Sequence, residues 1–118
     1  MTGVQTLVPV MLEHVSAGRL SLSRFVDLTS AGPQRLFGIR GKGRIAVGYD
    51  ADLTIVDLKR TETITNSWIA SRCGWTPYDG RKVTGWPVGT FVRGRRVMWE
   101  GEIAGRAHGA PVSFFESV

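Results

Sequence analysis

The sequence predicts an α+β chain, with helices over its first third and strands over most of the rest. Three observations predict it. Apolar residues recur at three- and four-residue spacing up to about residue 37, the mark of helices with one buried face. Beyond Ile39 the period becomes strand-like. Fifteen glycines in 118 residues, well above the usual ~7%, supply turns. The expected division is therefore a helical part, 1–38, and a β part, 39–118, with an irregular excursion at 64–84.

The first helix carries Val4, Leu7, Val8, Met11, Leu12 and Val15 on one stripe. Thr2 and Gln5 have the spacing of a capping box. Pro9 lacks an N–H, so the helix is expected to kink there or to begin near Thr6. Gly18 suits the stop. Ser21 can cap a second helix, with Leu20 stapled on Phe25 and an apolar side of Leu22, Phe25, Val26 and Leu28. Ser30 starts a third, short helix with Pro33 in its first turn, where a missing N–H costs little. Leu36 and Phe37 are expected to face inward, and Gly38 to end the helix.

Arg40-Gly41-Lys42-Gly43-Arg44 reads as a solvated connector. Asp52–Asp57 reads as a strand bounded by turn residues at Gly48 and Asp50. Thr90–Arg93 and Arg96–Trp99 form a hairpin turning at Gly94, and Glu100-Gly101 turns again before Ile103. The excursion 64–84 carries Trp68, Trp75, Pro77 and Tyr78.

Composition limits the function classes. The chain is 42% hydrophobic and 21% charged, which fits a globular domain rather than a disordered tail or a collagen-like repeat. No apolar run approaches the ~20 residues that span a bilayer, and Met1-Thr2-Gly3-Val4 lacks the basic-then-apolar order of a signal peptide. The single cysteine, Cys73, cannot make an internal disulfide, so a cytoplasmic location is the default expectation. The net charge of +5 is spread along the chain, which speaks for solvation before nucleic-acid binding.

Each chemical motif has a plain structural reading beside it. Gly41-Lys42-Gly43-Arg44-Ile45-Ala46 fits G-x-G-x-x-A, but it lacks the strand before and helix after that a dinucleotide site needs. It lacks the hydroxyl of a Walker loop as well. Asp50, Asp52 and Asp57 lack the ligand spacing of a calcium loop, so turn formation and strand-end solvation are their expected roles. His14 and His108 have no second ligand at metal spacing; His14 sits near a helix C-terminus, which favours a cation. Arg72 beside Cys73 lowers a thiol pKa in principle, but no histidine partner is apparent. Arg93-Gly94-Arg95-Arg96 on a hairpin tip could touch phosphates, and tryptophans could stack bases; a charged turn and packed Trp86 and Trp99 are the simpler roles. No residue is assigned as catalytic, substrate-binding or metal-ligating.

Taken together, these segments resemble the cyclic-amide amidohydrolases. Gly3-Val4-Gln5-Thr6 through Pro9 is similar to the start of the last barrel helix of that family. Gly18-Arg19-Leu20-Ser21 and Leu28–Pro33 resemble its next helices. Leu36-Phe37-Gly38-Ile39 and Gly43–Leu53, with its G-x-D-A-D-L element, resemble the passage from barrel to small β-domain. Asn66-Ser67-Trp68, Thr76–Gly80, Val83–Val88 and Val92-Arg93-Gly94 continue the match and point more narrowly to the dihydroorotases; allantoinases and dihydropyrimidinases share much of the pattern.

The resemblance implies the terminal helices of a (β/α)8 TIM barrel followed by part of a small β-sandwich domain. It implies a zinc hydrolase that interconverts dihydroorotate and N-carbamoyl-aspartate in pyrimidine synthesis, with chemistry at the barrel mouth. The family's metal-ligating and catalytic residues would all lie upstream of Met1, and only Thr2 and Gly3 would approach a substrate loop. The implied reading is a C-terminal fragment, inactive alone, that binds no zinc and associates with the rest of its parent or with another copy. Val4, Leu7, Val8, Met11 and Leu12 would close the barrel, and Leu53, Ile55, Phe91, Val97 and Trp99 would pack the β-domain. A small basic nucleic-acid-binding module is the alternative from another class.

Overall fold

The computed structural model describes residues 3–116. Its helical elements are α1 (Val4–Ser16), α2 (Leu22–Val26), a π-helical turn (Asp27–Ala31) and α3 (Gly32–Phe37). The strands β1 (Leu53–Thr63), β2 (Lys82–Val92), β3 (Arg95–Trp99) and β4 (Glu102–Ile103) form one sheet in chain order. Two compact units share these elements, residues 1–21 with 56–87 and residues 22–55 with 88–118.

In the first unit, α1 begins at Val4 and runs through Pro9 to Ser16, so neither the expected late start nor a break occurs. Pro9 forfeits one backbone bond, but its ring is fully buried, and burial of apolar surface offsets that loss. Gly3 is the N-cap; Thr2 of the expected capping box lies outside the described residues. The C-terminus follows the sequence. Gly18, at φ 72°, donates to Val15, and Arg19 donates to the His14 carbonyl, a Schellman arrangement.

The buried face of α1 only partly follows the expected stripe, with Leu12 buried and Val8, Met11 and Val15 half-buried. Thr6, Pro9 and Leu12 are buried, whereas Val4 and Leu7 are 90% and 50% exposed. The helix is turned by what its polar residues reach. Gln5 donates from Nε2 to the Trp68 carbonyl (2.8 Å) and accepts at Oε1 from the Ala70 N–H (2.9 Å). Glu13 Oε2 accepts from the Thr84 N–H (2.7 Å). Leu12 lies against Gly85, where any Cβ would stand 2.6 Å from the Leu12 Cβ and where φ is 103°. Only glycine meets both conditions there.

The core of this unit is Leu12, Ile64, Val83, Ile69 and Trp86, with Thr6 and Thr76 beside them. Ile64 and Val83 are fully buried, so the irregular excursion supplies core rather than periphery. It is closed like a loop with tied ends: Gly80 donates to the Ile64 carbonyl, and Ile64 donates to that of Arg81. Asn66 holds the middle, donating its N–H to Asp79 Oδ1 and accepting from the Thr76 N–H. Trp68 and Trp86 pack with their rings tilted by 44°, 4.7 Å between centroids.

In the second unit, α2, the π-helical turn and α3 follow without an intervening loop, where the sequence suggests two separate helices. Asp27 ties the ends, pairing with Arg24 (3.1 Å) and Arg35 (2.8 Å). Thr29 Oγ1 donates to the Phe25 carbonyl at 2.9 Å. Phe25 is buried, but Leu22, Val26 and Leu28 are not. Leu36 and Phe37, expected inward, are 77% and 62% exposed. The spacing marks an apolar face correctly, but the described residues put nothing over it.

The strands exceed their sequence signals. β1 continues to Thr63 through charged residues, and β2 begins at Lys82 despite Gly85, Pro87 and Gly89. Both hairpins turn where expected. Val92 pairs with Arg95 around Arg93 and Gly94, at φ 49° and 78°. Trp99 pairs with Glu102 around Glu100 and Gly101, at φ 48° and 83°. Two positive φ values in a two-residue loop match the twist of the flanking strands. A bulge lies between Thr90 and Phe91 in the β2–β3 pairing. Leu53, Ile55 and Trp99, expected to pack, are 37–41% exposed, while Phe91 and Val97 are half-buried. One face of Trp99 is used: a Cβ on Gly89 would stand 2.7 Å from its ring.

Candidate functional site

The densest polar cluster among the described residues belongs to the second unit and centres on Lys42. Its ammonium donates to Asp50 Oδ2 at 2.9 Å and to Asp52 Oδ2. Asp52 also accepts at Oδ1 from the Arg93 N–H, at 2.8 Å. The Asp50 N–H donates to the Gly41 carbonyl (2.8 Å), and that of Gly94 to the Ala51 carbonyl (3.0 Å). Bonding first to Asp52 and then to Asp50 holds the Lys42 pKa above its usual value. Lys42, then the Arg93 N–H, hold Asp52 below the usual carboxylate range. The expected solvated connector is therefore anchored through Lys42, a role that sequence reading misses. The only signal was two aspartates eight and ten residues further on.

These charges are satisfied by one another, which fits a structural cluster better than a reactive one. Asp50 and Asp52 both point at an ammonium, and Asp57 accepts from the N–H groups of Lys59 and Arg60. His14 Nδ1 accepts from Arg19 Nε at 2.8 Å. His108 donates from Nε2 to the Val92 carbonyl at 2.8 Å. Among the described residues, no three His, Cys, Asp or Glu side chains gather as a metal would require. The residues present therefore do not fit a zinc ion.

The remaining candidates are spread out. Cys73 is exposed, and its thiol donates to the Trp75 carbonyl at 3.6 Å. The Gly41–Ala46 stretch opens no helix, which leaves it without the geometry that cradles a pyrophosphate. Arg93, Arg95 and His108 line an open groove of about 310 Å³. Arg96 lies over the Trp99 ring at 5.9 Å. Trp86 is buried against Trp68, so these two rings are spent on packing. Gly3 is exposed at the start of α1, and Thr2 lies outside the described residues. Among the described residues, no helix is long and apolar enough to cross a membrane.

Much apolar surface among the described residues is uncovered, which has the character of part of a larger protein. Comparison with known proteins agrees. The chain belongs to the amidohydrolase family, whose model matches residues 3–97. It is similar to a dihydroorotase of Methanothermobacter thermautotrophicus, 45% identical over 100 residues, which are 85% of this chain and 23% of the relative. It is also similar to a dihydroorotase of Pyrococcus furiosus, 41% identical over 92% of this chain and 26% of the relative. Among solved structures, an L-hydantoinase (dihydropyrimidinase) from Arthrobacter aurescens superposes with a TM-score of 0.79 at 43% identity, covering 83% of this chain and 22% of that one. The chain thus spans about a quarter of the length of these relatives.

Proposed function

We propose that this chain is the C-terminal segment of a dihydroorotase-like enzyme, one that hydrolyses a cyclic amide and interconverts dihydroorotate and N-carbamoyl-aspartate in the cytoplasm. Residues 1–38 would be terminal helices of its barrel, and residues 39–118 part of a small β-sandwich domain. The observation that carries this reading is the identity to dihydroorotases, 41–45% over 85–92% of the chain but about a quarter of theirs. A zinc ion in the parent would activate the water that attacks the ring amide. In this reading the ligands of that ion lie elsewhere in the parent, and this segment contributes packing. Its uncovered apolar side chains, Val4, Leu7, Leu36 and Phe37 among them, favour the rest of the parent or a second copy as partner.

A hydantoin is the second candidate substrate, since an L-hydantoinase of Paenarthrobacter aurescens is 45% identical over 103 residues. One exchange experiment tests both readings. The matching segment of the Methanothermobacter dihydroorotase is replaced by this chain's residues, and turnover is measured on dihydroorotate and on a hydantoin with zinc supplied. Because the catalytic part comes from the host, the same exchange is also made in the Paenarthrobacter L-hydantoinase; activity retained in the dihydroorotase host supports the first reading, and activity retained only in the hydantoinase host transfers it to the second. Folded, zinc-loaded chimeras inactive in both hosts overturn them. The 118-residue chain is expected to be inactive with zinc; turnover comparable to an intact enzyme would refute a purely structural role.

A further inference from the structure

Beyond Gly43, which packs against Gln34 and Ser30, residues 44–48 have little packing of their own. Gly41, Gly43 and Gly48 stand at φ 65°, 82° and 84°, and Ile45 and Val47 are 92% and 104% exposed. Beyond the packing at Gly43 and Arg40, such a segment depends on what its polar groups reach. Those groups converge on one carboxylate. Oδ2 of Asp52 takes the Lys42 ammonium from the connector, and Oδ1 takes the Arg93 N–H from the β2–β3 turn. Two backbone bonds run alongside, Asp50 to Gly41 and Gly94 to Ala51.

We infer that Lys42, Asp52 and the Arg93 N–H form a clasp that orders the glycine connector and the hairpin tip together, and whose opening releases both while the strands stay paired. One carboxylate serves both segments, so its loss uncouples them in one step. The charged groups facing Asp52 are Lys42 from the connector and Arg93 from the turn, with Asp50 sharing Lys42. Arg93 also forms one wall of the groove with Arg95 and His108, so an open clasp removes that wall from its place. The inference is independent of the proposed enzymatic activity.

Hydrogen exchange on the full 118-residue chain tests it. In Asp52→Asn, the amides of Asp50, Arg93 and Gly94 are expected to exchange about tenfold faster, the effect of losing a charge-assisted bond. Amides within β1 keep their protection. Asp57→Asn, which alters a carboxylate on β1 five residues beyond Asp52 and outside the clasp, is expected to leave all three amides unchanged. Lys42→Met is expected to free the Asp50 amide while Arg93 stays bonded to Asp52. Should Asp52→Asn lose protection everywhere, Lys42→Met decides. Wild-type protection of the Asp50 amide in Lys42→Met, or of the Arg93 amide in a folded Asp52→Asn, overturns the clasp.

Discussion

The two compact units are held by different forces, though one chain passes through both. In the first, Leu12, Ile64, Val83 and Thr6 are nearly or fully buried, and polar side chains of α1 bind backbone groups of the excursion and β2. In the second, Phe25 is the buried large apolar side chain, while Leu36, Phe37, Ile45, Val47, Ile103, Phe114 and Phe115 are exposed. Order there rests on ion pairs, tight turns and short backbone bridges, such as Arg40 donating to Ser113 and Phe115 donating to Gly38. A dry core resists change at single atoms, whereas a wet scaffold resists change at single charges. The contrast also separates a unit that covers its own apolar surface from one that leaves it for something else.

The strongest break of this contrast is in the first unit. Gly85→Ala puts a Cβ against Leu12 at a φ of 103°, and is expected to cost at least ~3 kcal/mol. Leu12→Ala leaves a cavity instead, at a cost of about 3–4 kcal/mol. Urea unfolding followed by tryptophan fluorescence would read both. A loss under ~1 kcal/mol in either would mean that the helix does not pack as described.

Next come the polar clamps. Glu13→Ala removes the acceptor of the Thr84 N–H and is expected to cost about 2 kcal/mol, since it orphans a half-buried donor. Gln5→Ala removes two neutral bonds, with an expected cost of about 1–2 kcal/mol and greater protease access at residues 68–70. If cleavage there is unchanged, Gln5 is not what holds the excursion.

The ionic cluster sharpens the comparison through pH. Asp52's pKa is lowered on folding, so its contribution is present above the unfolded value of ~3.9 and is lost as pH falls through the lower folded value. Lys42's is raised, so its contribution is complete below ~10.4 and lost as pH rises through the higher folded value. Protection of the Arg93 amide should therefore fall only as pH drops below about 5, and that of the Asp50 amide should also fall as pH rises past about 10. Solvent screening holds the pair to about 1 kcal/mol. A steady change across neutral pH would contradict these shifts.

The smallest effect is expected where the second unit is bare. Phe37→Ser should alter the stability of this chain by under ~0.5 kcal/mol while reducing its self-association in sedimentation. A large loss of stability would show that Phe37 is already covered.

Local signals in the sequence survived folding wherever the chemistry was local. Gly18 and Gly38 end helices because only left-handed backbone, costly for residues with a Cβ, closes the last turn. Arg93-Gly94 and Glu100-Gly101 turn hairpins because strand twist demands positive φ at both positions. The face of α1 was only partly legible. Hydrophobic spacing marks Val4 and Leu7, but Gln5 and Glu13 find acceptors and donors 63 to 71 residues away. Less legible still was the length of β1 and β2, where cross-strand pairing overrides the propensities of Arg60, Glu62, Gly85 and Pro87.

By itself, then, the sequence determined where the chain turns and stops, since backbone sterics act between neighbours in sequence. Tertiary structure decided which helix face is dry and which lysine holds the connector. Those choices depend on groups that only folding brings within hydrogen-bonding distance.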